Sequence, residues 1–277
     1  MLVFLASFVL AAASADATGV EAAIAQGDAH YARRAEGARG GMGAPAQVEA
    51  AILQYRKAVS LDPGSYPARL RLLRAFFFRT GFCEIEQPAQ VKLFDEAKKL
   101  ADETVKRLQA DIKEPRSLTR RLALVREPLA AEIYLWAAIS WGQWAVYHKL
   151  AAVWQGAAGQ VRDLSQAAID IDPATLFGSG YLILGRLHVE APRLAFITPW
   201  ISREKGLNYL QRALEIAPES PNNRYFLADA LLALRRERRA EARGLLEECV
   251  RHTPRSDYLV EDLHYAEAAA ERLAGLR

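Results

Sequence analysis

A phrase that recurs four times limits what this chain can fold into. It reads YRKAVSLDP at 55–63, LSQAAIDIDP at 164–173, YLQRALEIAP at 209–218 and LLEECVRHTP at 245–254. Each copy has a large apolar or aromatic residue, a small residue, further apolar positions at helical spacing, and a proline. The small residue (Ala58, Ala168, Ala213 or Cys249) lets two helices approach closely. The proline ends the helix, because it lacks an N–H and disfavours the α conformation in the residue before it. Pro218 and Pro254 stand about one tetratricopeptide period apart.

The first helix of each pair is also legible. YLILGRLH (181–188) sets Gly185 where a repeat needs a small residue against its neighbour, and RYFLADALLAL (224–234) sets Ala228 in that role. From Ala228 to Ala242 the spacing slightly exceeds the consensus, and RRERR absorbs the excess. From Gly185 to Gly206 the excess is larger and contains EAPRLAFITPW, so a loop bulges out there. The pattern is clearest over 160–255 and weaker over 20–80.

These observations predict an all-α chain: a tetratricopeptide-like α-α superhelix with degenerate repeats around a central aromatic helix. Helices are predicted over 19–37, 46–61, 65–80, 88–111, 116–125, 128–155, 158–171, 177–190, 202–217, 221–236, 238–252 and 257–275. The abundance of Ala, Leu, Arg and Glu agrees. RAEGARGGMGAPAQ (34–47) and IKEPRS (112–117) read as loops. With no hairpin signal, no βαβ alternation and no linker, residues 18–277 read as a single helical domain.

The central helix is YLWAAISWGQWAVYHKLAAVW (134–154), which holds four of the five tryptophans. At about 100° per residue, Trp136, Ser140, Trp144, Tyr147 and Trp154 share one face. Leu135, Ile139, Val146, Leu150 and Val153 form a second, and Tyr134, Trp141 and His148 a third. Such a helix leaves little surface for water. A membrane span would bury Gln143, His148 and Lys149 in hydrocarbon, which disfavours it. Two readings stay open. The rings are core packing, or Trp136, Ser140, Trp144, Tyr147, His148 and Trp154 line a cavity for an apolar ligand, with His148 or Ser140 as its polar handle.

Residues 1–17 read as a signal peptide, apolar and closing on small residues; no Lys or Arg precedes the apolar run, so an ordinary buried helix is the alternative. No cysteine follows it, so a lipoprotein anchor is not expected and export to the periplasm is. Cys83 and Cys249 fit no metal-type spacing and read as small buried thiols, with a disulfide between them the alternative in an oxidising compartment. A net charge of +3 gives no strong field for nucleic acid or for a membrane surface.

The order of features resembles the TatT family, the T components associated with tripartite ATP-independent periplasmic (TRAP) transporters. YLWAAISWGQWA, VRDLSQAAIDIDP and FGSGYLILGRLHVEAP carry the resemblance, with GDAHYARR and AILQYRKAVSLDP ahead of them, over roughly 25–235. Trp136, Gly142 and Trp144 match the family's aromatic helix, and Gly185 and Pro192 its later helix and loop. The missing lipobox cysteine and the lack of a glycine-rich run at 191–200 depart from it. The resemblance implies a helical periplasmic protein with a pore or cavity, partnered by the transporter's solute-binding subunit, with no catalysis and no cofactor. It leaves open whether copies form a homo-oligomer.

No GxSxG, phosphate-binding glycine loop, HExxH or CxxC is present. The five histidines are dispersed, and His188 and Glu190 point apart at i,i+2 on a helix. RRERRAEAR (235–243) reads as a solvated face, since acidic residues interrupt it. The functions left are a transport accessory protein and a general tetratricopeptide scaffold whose tryptophans are purely structural.

Overall fold

A computed structural model describes residues 19–113 and 128–276. The predicted signal segment over 1–17 and the predicted helix over 116–125 lie outside the described residues. Within them the chain is helical throughout, with isolated bridges in place of any strand. The helices are α1 (19–32), α2 (Pro45–Leu61), α3 (Tyr66–Gly81), α4 (Gln87–Lys113), α5 (Pro128–Tyr147), α6 (Lys149–Trp154), α7 (Ala157–Ile171), α8 (Thr175–Glu190), α9 (Arg203–Ile216), α10 (Pro221–Leu234), α11 (Arg239–Arg251) and α12 (Leu259–Ala274). Among the described residues no helix is long and apolar enough to cross a membrane.

The recurring phrase ends α2, α7, α9 and α11. Its small residue is buried in every copy. The carbonyls of Ala58, Ala168, Ala213 and Cys249 each accept the last N–H of their helix, from Asp62, Asp172, Ala217 and His252. Two of the turns that follow then restart the chain in the same way. Ser65 and Ser220 cap α3 and α10 by accepting from the N–H groups of Ala68 and Asn223, and a proline stands in the first turn of each.

Alternate helices form two layers. Each of α3, α5, α8, α10 and α12 packs against the next in that series, while α2, α4, α7, α9 and α11 lie between them on the outside. The outer helices are one-sided. On α4 the buried residues Phe94, Ala97, Ala101, Thr104 and Leu108 recur every three or four positions. By contrast, α5 is buried nearly all round over its first part, from Ala130 to Ser140.

The last helix meets the first loop. Arg34 donates to Glu261 at 3.0 Å and to the carbonyl of Asp257. The N–H of Gly41 donates to Glu267 Oε1 at 3.0 Å, and a side chain on Gly41 would strike the backbone at His264. Phe82 packs edge-on to His264 and Tyr265. The glycine-rich segment read as a loop is therefore the seat of α12.

Three helix expectations need correction. The helix expected over 128–155 is two helices, broken at His148 (φ −108°, ψ 47°). The one expected to run to 37 leaves helical form after 32, in turns fixed by N–H bonds from Arg33, Arg34 and Glu36. The one expected from 177 opens with a left-handed turn, Leu176, Phe177 and Gly178, all at positive φ. Asn223 holds that turn by donating its amide to the carbonyls of Phe177 (3.0 Å) and Ala213 (2.9 Å).

Candidate functional site

The six residues singled out as a cavity lining do not share one environment. Trp136 is buried with its ring edge-on to Phe77 at 5.4 Å. Ser140 is buried and spends its hydroxyl on the carbonyl of Trp136, 2.8 Å away, one turn back along α5. The indole N–H of Trp144 donates to Asp95 at 2.9 Å, and His148 stacks on that indole at 4.8 Å. His148 Nε2 lies 3.0 Å from the same Asp95 oxygen. Tyr147 packs on Phe94, donates to Gln90 at 2.8 Å, and stays partly exposed. Trp154 is 89% exposed.

The break at His148 explains the split. A wheel drawn at a constant 100° per residue holds only along an unbroken helix. Past His148 the chain starts a new helix, so Trp154 leaves the face of Trp136 and Trp144. The expectation that the segment leaves little surface for water also fails at this end, where Val146, Leu150, Val153 and Trp154 are exposed.

What the sequence reading missed is the polar stripe on α4 that receives the aromatic helix. Gln90, Asp95, Lys98 and Asp102 recur at intervals of three to five residues. Trp141 donates to Asp102 at 2.7 Å, and the Lys98 ammonium lies 3.8 Å from the Trp141 ring centre. Lys98 also pairs with Asp102 at 2.9 Å. A buried indole needs a partner for its N–H, and a carboxylate supplies one that also holds a cation over the ring. The signal was available as acidic residues at helical spacing in 88–111, but nothing in the sequence says which helix they face.

A second group of rings, on the inner layer, was not anticipated. Trp136 touches Phe77, Phe77 touches Phe82 at 5.6 Å, Phe82 approaches Tyr265 at 6.4 Å, and Tyr265 touches Phe226 at 5.7 Å. The run joins α5, α3, α12 and α10. Phe77, Phe226 and Tyr265 keep part of their surface open. Burial pushes the Tyr265 phenol up to about 12, so it stays neutral. Arg186 on α8 places its guanidinium 4.0 Å from the centre of the Phe226 ring. Apolar faces edged by a cation suit binding by contact and cation–π attraction.

Two open clefts lie on the surface. One of about 250 Å³ is lined by Tyr225, Ala268, Glu271, Arg272 and Gly275, beside the end of the ring series. Another of about 400 Å³ is lined by Glu219, Arg224, Glu248, Arg251, His252 and Thr253. Neither touches the six residues of the aromatic segment. Cys83 and Cys249 are free thiols, and burial pushes them up to about 11 and about 12.

No family model matches the sequence, and no curated protein matches it.

Proposed function

We propose that this chain is a tetratricopeptide-like binding scaffold that acts in the periplasm as the T component of a TRAP transporter, docking the solute-binding subunit. One observation supports a docking role above the rest: the ring contacts from Trp136 to Phe226 tie early, middle and late helices of the inner layer together, and Phe77, Phe226 and Tyr265 along them keep part of their surface open. A surface fixed before binding loses less freedom on association. Its half-open rings offer a place for an apolar ligand or for apolar side chains of the partner, worth about 25 cal/mol per Å² of apolar area covered. The choice of partner rests on the family resemblance of the sequence.

A second reading is a general scaffold whose tryptophans are purely structural. The bonds from Trp141 to Asp102 and from Trp144 to Asp95 favour it for those two indoles. In both readings they fasten helices, and the binding surface is the inner layer.

The test is direct. The full chain, mixed with the solute-binding subunit of a TRAP transporter from the same host, should form a complex in analytical ultracentrifugation. Phe226→Ser should weaken it at least about tenfold, the scale of losing one central aromatic anchor. Absence of any complex rules out the transporter reading and leaves the general scaffold.

A further inference from the structure

Two short segments at one end of the helix array expose apolar side chains to an unusual degree. The first is α6 with the end of α5, where Trp154 is 89% and Leu150 81% exposed, beside Val146 and Val153. The second is the loop 191–200, where Phe196 is 100% exposed, beside Leu194 and Ile197. Single exposed apolar residues are ordinary, but a cluster of this size on two neighbouring elements is not.

The fold brings the two together. Helices α7 and α8 run antiparallel, since Gly180 on α8 packs against Ile169 and Ser165 of α7. The end of α8, from which the loop departs, therefore returns beside the start of α7, which α6 immediately precedes. Trp200 closes the loop against Arg162 of α7 at 4.6 Å. Arg162 is five residues from the start of α7, about 7.5 Å along the axis.

The loop is built to present Phe196. Thr198 is buried at its centre. Its hydroxyl donates to the carbonyl of Pro192 at 2.7 Å and accepts from the N–H of Leu194 at 2.9 Å. Its own N–H donates to the carbonyl of Leu194. At the far end the N–H of Ser202 donates to His188 Nδ1 at 3.0 Å, and burial holds His188 below its ordinary value, hence neutral and able to accept. A fully exposed phenyl ring thus stands on a loop already bonded into one shape.

Charge indicates the occupant. Over 143–162 the chain carries Lys149 and Arg162 and no carboxylate; over 191–203 it carries Arg193 and Arg203 and none either. The nearest carboxylates in sequence are Asp163, paired with Arg162, Glu190, paired with Arg186, and Glu204; from α4, Asp95 reaches His148, beside Lys149, and is held there by the Trp144 indole. Tryptophan and phenylalanine that project beyond the surface, with cations beside them, match the headgroup region of an anionic bilayer. A protein partner would more naturally meet a flat or recessed apolar centre rimmed by both signs of charge. We propose that this end of the array is a membrane-surface anchor: Leu150, Trp154 and Phe196 insert into the interface of an anionic bilayer while Lys149 and Arg193 hold lipid phosphates.

The experiment uses the full chain and vesicles of phosphatidylcholine, with or without phosphatidylglycerol. The protein should float with the anionic vesicles and much less with the neutral ones, and added salt should release it. Trp154 emission should shift to the blue on binding, and Trp154→Phe should remove the shift. Phe196→Ser with Leu150→Ser should lower partitioning at least about tenfold, and Lys149→Gln and Arg193→Gln about fivefold each. All these side chains are exposed, so thermal melting should be unchanged. Thr198→Val should weaken partitioning by loosening the loop. Failure to bind anionic vesicles overturns the proposal, as does binding indifferent to Phe196 and Leu150. Without vesicle binding, a dimer lost in Phe196→Ser would reassign the face to contact between copies. Loss of solute-binding-subunit docking in that variant would reassign it to that partner. Docking that survives the variant leaves the scaffold reading intact whatever the vesicles do.

Discussion

The indole N–H of Trp141 meets the carboxylate of Asp102 across 2.7 Å, from the central helix to the outer one. Asp102 simultaneously holds Lys98, whose ammonium sits over the same indole. Ring, cation and carboxylate form one fastening between α5 and α4. Trp141→Phe keeps an aromatic ring but removes the N–H and part of the buried volume. Asp102 is part-exposed and can recover water, so the lost hydrogen bond and the void together should cost about 2–4 kcal/mol in urea denaturation. Binding of the proposed partner, a solute-binding subunit, should not change. If binding fell while stability held, the indole would belong to a binding surface after all.

The closure of the array makes a second prediction. Arg34 and Glu261 are both largely buried and lie 3.0 Å apart. Arg34→Met leaves a buried carboxyl without its cation and should destabilise by about 3–5 kcal/mol. The double variant Arg34→Met with Glu261→Met should recover much of that, because both charges are then gone. A double-mutant cycle in urea tests it. Additive losses would mean that the two side chains do not meet in solution.

The outer helices were legible because each must satisfy two simple demands. They bury one face, which fixes a three-to-four residue rhythm, and they stop, which the prolines after Leu61, Ile171, Ile216 and Arg251 announce. The inner helices are harder. On α5 small and aromatic residues are buried on every side, so no rhythm distinguishes its faces. The break at His148 carries no proline or glycine, and the left-handed turn at Leu176 and Phe177 uses residues that ordinarily avoid that conformation. Both depend on contacts far away in sequence. Asn223, which holds the turn, stands 46 residues beyond Phe177. The inner ring series has the same character, since Phe82 and Tyr265 become neighbours only once the last helix docks on the first loop.

Two glycines on inner helices should respond in opposite directions. At Gly185 a methyl group would lie 2.6 Å from Leu210 Cγ and 3.0 Å from the Leu210 backbone nitrogen. A methyl group at the facing Gly206 would likewise lie 3.0 Å from the Gly185 carbonyl oxygen. Gly185→Ala therefore forces α8 and α9 apart and should cost about 1–3 kcal/mol. At Gly142 a methyl group meets nothing within 4 Å. Gly142→Ala should stabilise α5 by about 0.5–1 kcal/mol, the helix-propensity gain. Denaturant midpoints moving the same way would refute the close approach at Gly185.

Glu132 gives a prediction in pH. It is half-buried on α5, and burial raises its carboxyl above the ordinary 4.5, with Arg74 and then Arg71 pulling it back by less. A carboxyl whose folded value is raised binds its proton more tightly in the folded chain than in the unfolded one. Its contribution to stability is therefore fully present below the unfolded value and is lost as pH rises through the folded value. Glu132→Gln mimics the protonated carboxyl at every pH. The variant should match the parent at about pH 4, where the unfolded carboxyl is already largely protonated. It should exceed the parent at neutral pH, with the gap opening as pH climbs past 4.5. Glu261 is raised by burial too, but it is common to both proteins and cancels in the comparison. Urea midpoints of the pair across this range read the difference directly. A constant gap would mean that burial and the two arginines cancel, and a variant weaker at neutral pH would mean that Arg74 and Arg71 outweigh burial and that Glu132 works as an ion-pair partner.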